Sequence, residues 1–207
     1  MENLIFVGPP GSGKGTQANY LKQYNYTHIS TGDLLRSEVS SGSCLGIQIK
    51  KIISKGELVS DEVVGQLLKR NLDVDNNLYI FDGYPRNRRQ AVILKDIIGK
   101  KPFKVIVFDA DLDQIMERIC NRRLAPGSGE IYNLISKPPK IEGLCDISGE
   151  KLVHREDDTV KVVENRFKVY SEAKDEIIDF YGPDYTVSIN ADKESKLVFD
   201  DLIKIIN

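Results

Sequence analysis

The sequence predicts an α/β protein built on a parallel sheet that is covered by helices. Short apolar segments bounded by turn residues alternate along the chain with longer segments of helical spacing. Strands that alternate with helices in this way form a parallel sheet with helices on both faces. A glycine-rich loop follows the first apolar segment directly. The 207 residues suffice for one sizeable core and one or two inserted segments.

The predicted strands are short apolar segments of the kind that are buried in a parallel sheet. They cover residues 4–7, 78–81, 105–108 and 187–189, and a further strand includes Ile29. Together they predict a five-stranded sheet. Helical spacing predicts helices over about 33–54, 61–72, 88–98, 112–122, 158–181 and 194–206.

Two segments interrupt the alternation of strands and helices. Residues 30–59 place two short helices between Ile29 and Gly56. Residues 123–156 are rich in Gly, Pro and Lys and lack a helical period, and they are too long for an ordinary connection. We therefore expect an inserted lid at 123–156 and a core made of residues 1–29, 60–122 and 157–207.

The charge balance excludes several classes of partner. The chain has 29 Lys and Arg residues against 31 Asp and Glu residues, for a net charge of −2. Proteins that bind nucleic acid or an anionic membrane usually carry a basic excess. We therefore expect no nucleic-acid and no membrane partner, and any bound phosphate must be held by a few positioned groups.

The cysteines and the N-terminal residues predict a cytoplasmic protein. Cys44, Cys120 and Cys145 form no Cys-x-x-Cys pair, which is typical of a reducing compartment. The apolar residues from Leu4 to Val7 are too few for a signal peptide. No segment reaches the roughly 20 apolar residues of a membrane span.

Residues 8–14 fit the Gly-x-x-x-x-Gly-Lys pattern of a phosphate-binding loop. In such a loop, successive backbone amides surround phosphate oxygens and the lysine adds a positive charge. The Ser or Thr that normally follows the lysine is replaced by Gly15, and the hydroxyl comes one position later at Thr16. This departure disfavours a GTPase or a motor ATPase and indicates magnesium held more by water and phosphates.

Four motifs then resemble adenylate kinases and their relatives among the nucleoside monophosphate kinases. They are Gly8-Pro9-Pro10-Gly11-Ser12-Gly13-Lys14-Gly15-Thr16-Gln17, Ser30-Thr31-Gly32-Asp33-Leu34-Leu35-Arg36, Asp82-Gly83-Tyr84-Pro85-Arg86 with Gln90, and Arg155-Glu156-Asp157-Asp158 with Arg166. The resemblance implies a three-layer fold like that of the P-loop nucleoside triphosphate hydrolases. It also implies a monomer, a monophosphate-binding segment at 30–59, and reversible transfer of a phosphoryl group from MgATP to AMP, giving ADP.

The resemblance assigns residues to three sets. The catalytic set is Lys14, Arg86, Arg122, Arg155 and Arg166. The ATP-binding set is Gly11, Ser12, Gly13, Lys14, Gly15, Thr16, Arg118, Arg122, Ile131, Tyr132 and Lys193. The AMP-binding set is Thr31, Arg36, Glu57, Leu58, Val59, Gly83, Tyr84, Pro85, Arg86, Gln90, Arg155 and Arg166. Asp82 follows a predicted strand beside the phosphate loop, where a magnesium anchor acting through water is expected.

Phosphoryl transfer between nucleotides needs positioning and charge neutralisation, which arginine supplies through its planar fork of donors. A phosphate monoester, with a second pKa of about 6, is largely ionised at neutral pH and needs no general base. Accordingly, His28 is interpreted as structural. The i, i+4 spacing of Arg118 and Arg122 predicts that both project from one face of the helix that ends at the lid.

Gln90 favours AMP as the phosphoryl acceptor, because a side-chain amide offers a donor and an acceptor to the adenine edge. In pyrimidine monophosphate kinases the matching residue is typically asparagine and the lid is short. A kinase for UMP or CMP remains the alternative within the class. A nucleotide-binding switch or scaffold without catalysis is the alternative outside it.

The lid departs from relatives that hold a zinc ion with paired cysteines. The matching positions are Ala125, Ser128, Cys145 and Ser148, and one thiolate does not make a tetrahedral site. We therefore expect no zinc. The lid is predicted to be held mainly by packing, with a thin polar network that includes Ser128, Ser148 and Asp146.

Overall fold

A computed structural model describes residues 2–73 and 77–206 of the chain. Its strands are β1 (Asn3–Val7), β2 (Tyr26–Ser30), β3 (Leu78–Asp82), β4 (Phe103–Asp109), β5 (Arg122–Leu124), β6 (Ile131–Asn133) and β7 (Thr186–Asn190). Its helices are α1 (Lys14–Leu21), α2 (Thr31–Ser40), α3 (Cys44–Ile53), α4 (Asp61–Arg70), α5 (Arg88–Ile98), α6 (Leu112–Cys120), α7 (Val160–Tyr181) and α8 (Ser195–Ile206).

The core is a five-stranded sheet in the order β2-β3-β1-β4-β7, and every neighbouring pair is parallel. Ile5 of β1 lies opposite Phe81 on one side and Val105 on the other. The five-stranded parallel sheet predicted from the sequence is confirmed. Its central strand is buried along its whole length, because helices cover both faces.

Alternate residues of β1 feed two separate apolar clusters, as the two-residue repeat of a strand requires. Ile5 and Val7 belong to a cluster that includes side chains of α4, α5 and α7. Leu4 and Phe6 belong to a second cluster with side chains of α1 and α8. The sheet is therefore the middle layer of three.

The helical residues over 33–54 form the two short helices that the sequence predicts, α2 and α3, with a turn at Gly42 between them. Ser30 and Ser43 cap them, each accepting a hydrogen bond from a backbone N–H in the first turn. The two helices meet at Gly46, where an added Cβ would lie 2.2 Å from the Glu38 carbonyl oxygen. Only glycine permits this approach.

The prediction that Arg122 lies on the same helix as Arg118 is wrong. Helix α6 ends at Cys120, and Arg122 is the first residue of β5. Residues 122–124 pair antiparallel with residues 131–133, so the chain enters a hairpin instead of continuing the helical turn.

The lid segment has a small apolar centre and a larger polar network than the sequence predicted. Ala125, Tyr132 and Cys145 are its buried apolar residues. Glu150, which sequence reasoning did not single out, accepts from the backbone N–H groups of Gly127 at 2.7 Å and Ser128 at 2.8 Å and from Ser148 Oγ at 2.7 Å. One carboxylate therefore links the turn at residues 127–128 to the turn at residues 148–150. The prediction of a lid held mainly by packing needs correction, because the apolar centre is small.

Among the residues that the structure describes, no helix combines the length and the apolarity needed to cross a membrane.

Candidate active site

The glycine-rich loop connects the end of β1 to the first residue of α1. Gly11 and Gly13 have φ angles of 78° and 89°, which L side chains rarely adopt. An added Cβ on Gly11 would also lie 2.8 Å from Ile119 Cγ1. The loop therefore reaches the N-terminus of α1 in a conformation in which helix dipole and free N–H groups favour an anion.

The ammonium group of Lys14 lies inside this loop. Its Nζ atom donates to the carbonyl oxygens of Gly8 at 2.8 Å and Pro9 at 2.7 Å and to Ser12 Oγ at 3.1 Å. Burial, with a smaller contribution from nearby arginines such as Arg86, lowers the pKa of Lys14 to about 8 against the attraction of Asp82. The lysine is therefore still charged at neutral pH, but much less strongly protonated than a free lysine.

Asp82 lies at the carboxyl end of β3, next to the end of β1. Its Oδ2 atom is 3.1 Å from Nε2 of His28, which belongs to the neighbouring strand β2. Burial raises the pKa of Asp82, but the hydrogen bond from His28 and the charge of Lys14 outweigh it and lower the pKa overall. A carboxylate is thus held in place beside the phosphate loop.

Arg86, Arg122 and Arg166 each donate a hydrogen bond to a protein oxygen. Arg122 is paired with the fully buried carboxylate of Asp158, with 2.8 Å between its Nε and Oδ2. Arg166 lies 3.0 Å from Asp157, and Arg86 Nε donates to the Gly83 carbonyl oxygen at 2.8 Å. These contacts restrict the orientation of the three guanidinium groups.

A second set of ion pairs connects α2 to the same group. Arg36 lies 2.5 Å from Asp33 and 4.0 Å from Asp157, and Arg155 lies 3.8 Å from Asp33. The Nε atom of Arg155 is buried and has no hydrogen-bond partner among the residues that the structure describes. Burial raises the pKa of Asp33, but Arg36 and Arg155 outweigh it and lower the pKa overall.

The arginines outnumber the carboxylates that face them, and their mutual repulsion shows in their pKa values. Burial, and then the charge of Arg166, lowers the pKa of Arg86 to about 10. Burial, and then the charge of Arg122, lowers the pKa of Arg155 to about 10. An anion bound among these groups would relieve both costs.

One cleft of about 1570 Å³ brings most of the predicted residues together. Its walls include Gly11, Ser12, Gly13, Lys14, Gly15, Thr16, Arg36, Leu58, Asp82, Gly83, Pro85, Arg86, Arg118, Arg122, Ile131, Tyr132, Arg155, Arg166 and Lys193. A smaller cavity of about 40 Å³ includes Thr31, Glu57, Leu58, Val59, Gly83, Arg86, Gln90 and Arg166. Shared residues such as Arg86 and Arg166 connect the two.

Four predicted residues have side chains that contact other parts of the protein in this structure. Tyr84 is 1% exposed, belongs to the main apolar cluster and lines neither cavity. Tyr132 is buried in the lid, where its hydroxyl accepts from the Asp146 N–H at 2.8 Å. Lys193 is paired with Asp201 at 2.6 Å. Arg118 donates to the carbonyl oxygens of Ala191 and Asp192 at the end of β7.

Sequence reasoning did not reveal the contacts of His28 with Asp82, of Asp157 with Arg166 and of Asp158 with Arg122. Asp157 and Asp158 had a local signal, because they follow Arg155 directly in the fourth motif. His28 had none, because its partner Asp82 is 54 positions away in the chain.

Within residues 2–73 and 77–206, no group of three or more His, Cys, Asp or Glu side chains is placed to hold a metal ion.

A phosphate loop and a buried arginine cluster in one cleft define a P-loop enzyme that transfers phosphoryl groups between nucleotides. The adenylate kinase family model matches residues 6–185. Relatives named adenylate kinase include one from Pseudothermotoga lettingae, 38% identical over 98% of this chain and 97% of its own length. Another, from Oceanobacillus iheyensis, is 39% identical over 99% of this chain and 98% of its own length. The chain belongs to the adenylate kinase family.

Proposed function

We propose that this enzyme transfers the terminal phosphoryl group of MgATP reversibly to AMP, giving two molecules of ADP. The observation that carries the proposal is that the Lys14 loop lines one cleft with an arginine cluster, whose members are Arg36, Arg86, Arg122, Arg155 and Arg166. That cleft shares Arg86 and Arg166 with the smaller cavity lined by Gln90. A donor phosphate on the loop and an acceptor phosphate on Arg36 and Arg86 would then flank the same group of positive charges.

In the donor site, the amides of Gly11 to Thr16 and the Lys14 ammonium hold the ATP phosphates. Arg118 and the lid residues Ile131 and Tyr132 border the base, with Lys193 beside the ribose. Tyr132 and Lys193 contribute mainly through their backbone, because their side chains have protein partners.

In the acceptor site, Gln90 pairs with the adenine edge in the smaller cavity. Thr31 and the segment Glu57, Leu58 and Val59 enclose the base, supported by Gly83 and Pro85. The side chain of Tyr84 supports this wall from the core and does not take part in binding, since it lines neither cavity.

The transferred group lies among Lys14, Arg122, Arg155 and Arg166, which stabilise the negative charge of the transition state. Because the acceptor phosphate is already ionised, no side chain has to remove a proton. The paired carboxylates Asp157 and Asp158 keep Arg166 and Arg122 oriented without the entropy cost of ordering them during the reaction.

Asp82 fits a magnesium site that relies on water and phosphate oxygens, because it offers a single ordered carboxylate next to the loop. Magnesium, when bound, neutralises phosphate charge and orients the outer phosphates. Within this proposal His28 holds the Asp82 carboxylate in the position that such a site requires.

We further propose that residues 123–156 and 30–59 close over the two nucleotides. The cleft is lined by residues of both segments, so their approach would exclude water, which otherwise competes as the acceptor. The lid is proposed to close without zinc, with Glu150 linking its turns. One tightly bound zinc per chain in metal analysis would overturn that part.

The decisive experiment is a coupled assay of ATP and magnesium with AMP, GMP, CMP and UMP. We expect AMP to be used with the highest kcat/KM. A preference for UMP or CMP would favour the pyrimidine kinase alternative, and nucleotide binding without turnover for any acceptor would favour a non-catalytic switch.

We propose that the enzyme works in the cytoplasm as a monomer with nucleotides as its only partners. Its three cysteines are all free, which suits a reducing compartment. Sedimentation with and without ATP and AMP tests the monomer.

A further inference from the structure

The side-chain amide of Gln90 is held by the protein at both of its ends. Its Nε2 group donates to Asp61 Oδ1 at 2.8 Å, and its Oε1 atom accepts from the backbone N–H of Arg86 at 2.8 Å. The residue is 2% exposed and lines the smaller cavity.

The chemistry of these two partners permits only one orientation of the amide. A carboxylate only accepts hydrogen bonds, and a backbone N–H only donates. Turning the amide by half a rotation would place its oxygen against Asp61 Oδ1 and its NH₂ group against the N–H of Arg86. Both hydrogen bonds would be replaced by repulsive contacts in a buried site, where such a mismatch is most costly.

The carboxylate of Asp61 is itself held in place. Asp61 is the first residue of α4, and its Oδ1 atom also accepts from Asn87 Nδ2 at 3.0 Å. Asn87 caps α5 by accepting from the backbone N–H of Gln90 at 2.8 Å. These contacts join the first turns of α4 and α5. Asp61 lines neither cavity, so a ligand bound in either cavity would contact Gln90 and not Asp61.

After these bonds, the Gln90 amide keeps one N–H and one oxygen lone pair for a ligand. The adenine edge presents an amino donor at position 6 beside an acceptor at N1. A 6-oxopurine edge presents the reverse, an acceptor at position 6 beside an N1–H donor. In one binding pose, the two edges therefore need opposite orientations of the amide.

We propose that Asp61 is a positioning residue that sets acceptor specificity: by holding the Gln90 amide in one orientation, it makes the site accept a 6-aminopurine monophosphate and reject a 6-oxopurine. The inference rests on the proposed function, in which Gln90 reads the acceptor base.

The test compares AMP with inosine monophosphate, since their bases differ only at this edge. The ratio of kcat/KM for the two acceptors is measured in the wild type, in Asp61→Asn and in Glu62→Gln. The asparagine can accept or donate and no longer opposes rotation of the amide. Glu62→Gln removes a charge from the same helical turn and serves as the matched control.

We expect Asp61→Asn to lower the AMP to inosine monophosphate ratio by about tenfold or more, mainly by raising kcat/KM for inosine monophosphate. Glu62→Gln should leave the ratio unchanged. An unchanged ratio in folded Asp61→Asn overturns the proposal, including the case in which both acceptors become equally slower. An equal fall in Glu62→Gln overturns it as well.

A measurement on the wild type covers the case in which Asp61→Asn does not fold. The Nε2 protons of Gln90, identified in NMR spectra by their loss in Gln90→Glu, should exchange with water at least about tenfold more slowly than those of exposed Gln48. Equal exchange rates overturn the proposal.

If the wild type does not prefer AMP in the acceptor panel, the proposed function fails. If the wild type prefers AMP and the AMP to inosine monophosphate ratio of kcat/KM is unchanged in Asp61→Asn, only this inference fails.

Discussion

The Nε2 atom of His28 lies 3.1 Å from the Oδ2 atom of Asp82, across the neighbouring strands β2 and β3. Both side chains are almost fully enclosed, at 11% and 13% exposed. The imidazole therefore restricts the Asp82 carboxylate, which is proposed to hold magnesium beside the phosphate loop. Groups that orient a metal-binding carboxylate in this way commonly matter nearly as much as the carboxylate itself.

We predict that His28→Leu raises the magnesium concentration needed for half-maximal turnover by about tenfold, because Asp82 loses its hydrogen-bond partner. His28→Gln keeps a donor at a similar position and should remain close to the wild type. Magnesium titrations of the initial rate at saturating nucleotide check this. Equal magnesium requirements for all three proteins would contradict the role given to His28.

We predict that the affinity for ATP decreases as the pH rises above about 8, the value to which burial lowers the pKa of Lys14. The ammonium loses its proton in this range, and a triphosphate favours the protonated form, so binding takes up a proton. Calorimetry in buffers of different ionisation enthalpy measures this uptake.

The control for Lys14 is Lys14→Ala, which should remove the proton uptake and lower turnover by roughly a hundredfold or more while the fold is retained. Near-normal turnover of a folded Lys14→Ala protein would contradict the assignment of residues 8–14 as the phosphate-binding loop. A pH-independent affinity in the wild type would contradict only the pKa argument.

We predict that Gly46→Ala destabilises the protein by about 1–3 kcal/mol. The new Cβ would lie 2.2 Å from the Glu38 carbonyl oxygen, so α2 and α3 must separate. Urea denaturation measures the loss, and Gln48→Ala on the exposed side of the same helix is the control. The two variants should differ clearly, and equal stabilities would show that the helices yield without cost.

We predict that Glu150→Gln loosens the lid above about pH 5 and has little effect near pH 2. Hydrogen bonds, first from Ser148 and then from Gly127 and Ser128, lower the pKa of Glu150 from 4.5 to about 2. A lowered pKa means that the ionised carboxylate stabilises the folded lid above 4.5, and that this contribution is lost as the pH falls toward 2.

Amide exchange of Gly127 and Ser128 reports on this link. Exchange should be faster in Glu150→Gln than in the wild type at neutral pH, and the two proteins should converge in acid. Glu142→Gln, which removes an exposed lid carboxylate, is the control and should behave like the wild type. A pH-independent difference between Glu150→Gln and the wild type would refute the assignment.

The lid shows where local sequence signals end. The residues at positions 125, 128, 145 and 148 lead us to expect no zinc, but they do not reveal that Glu150 links two turns, because Gly127 and Glu150 are 23 positions apart. Arg122 shows the same limit. Its spacing from Arg118 fits one helical face, yet pairing of residues 122–124 with 131–133 ends the helix first.

The sequence by itself determined the parallel sheet, the glycine-rich loop and most of the residue types that line the cleft. Those features depend on local patterns: apolar strands, glycines that adopt positive φ, and motifs of adjacent residues. Only the tertiary structure decided which groups meet. The pairs His28 with Asp82 and Asp61 with Gln90 join residues far apart in the chain, and strand order and helix packing bring them together. Those contacts orient a carboxylate and an amide that sequence motifs identify only by type.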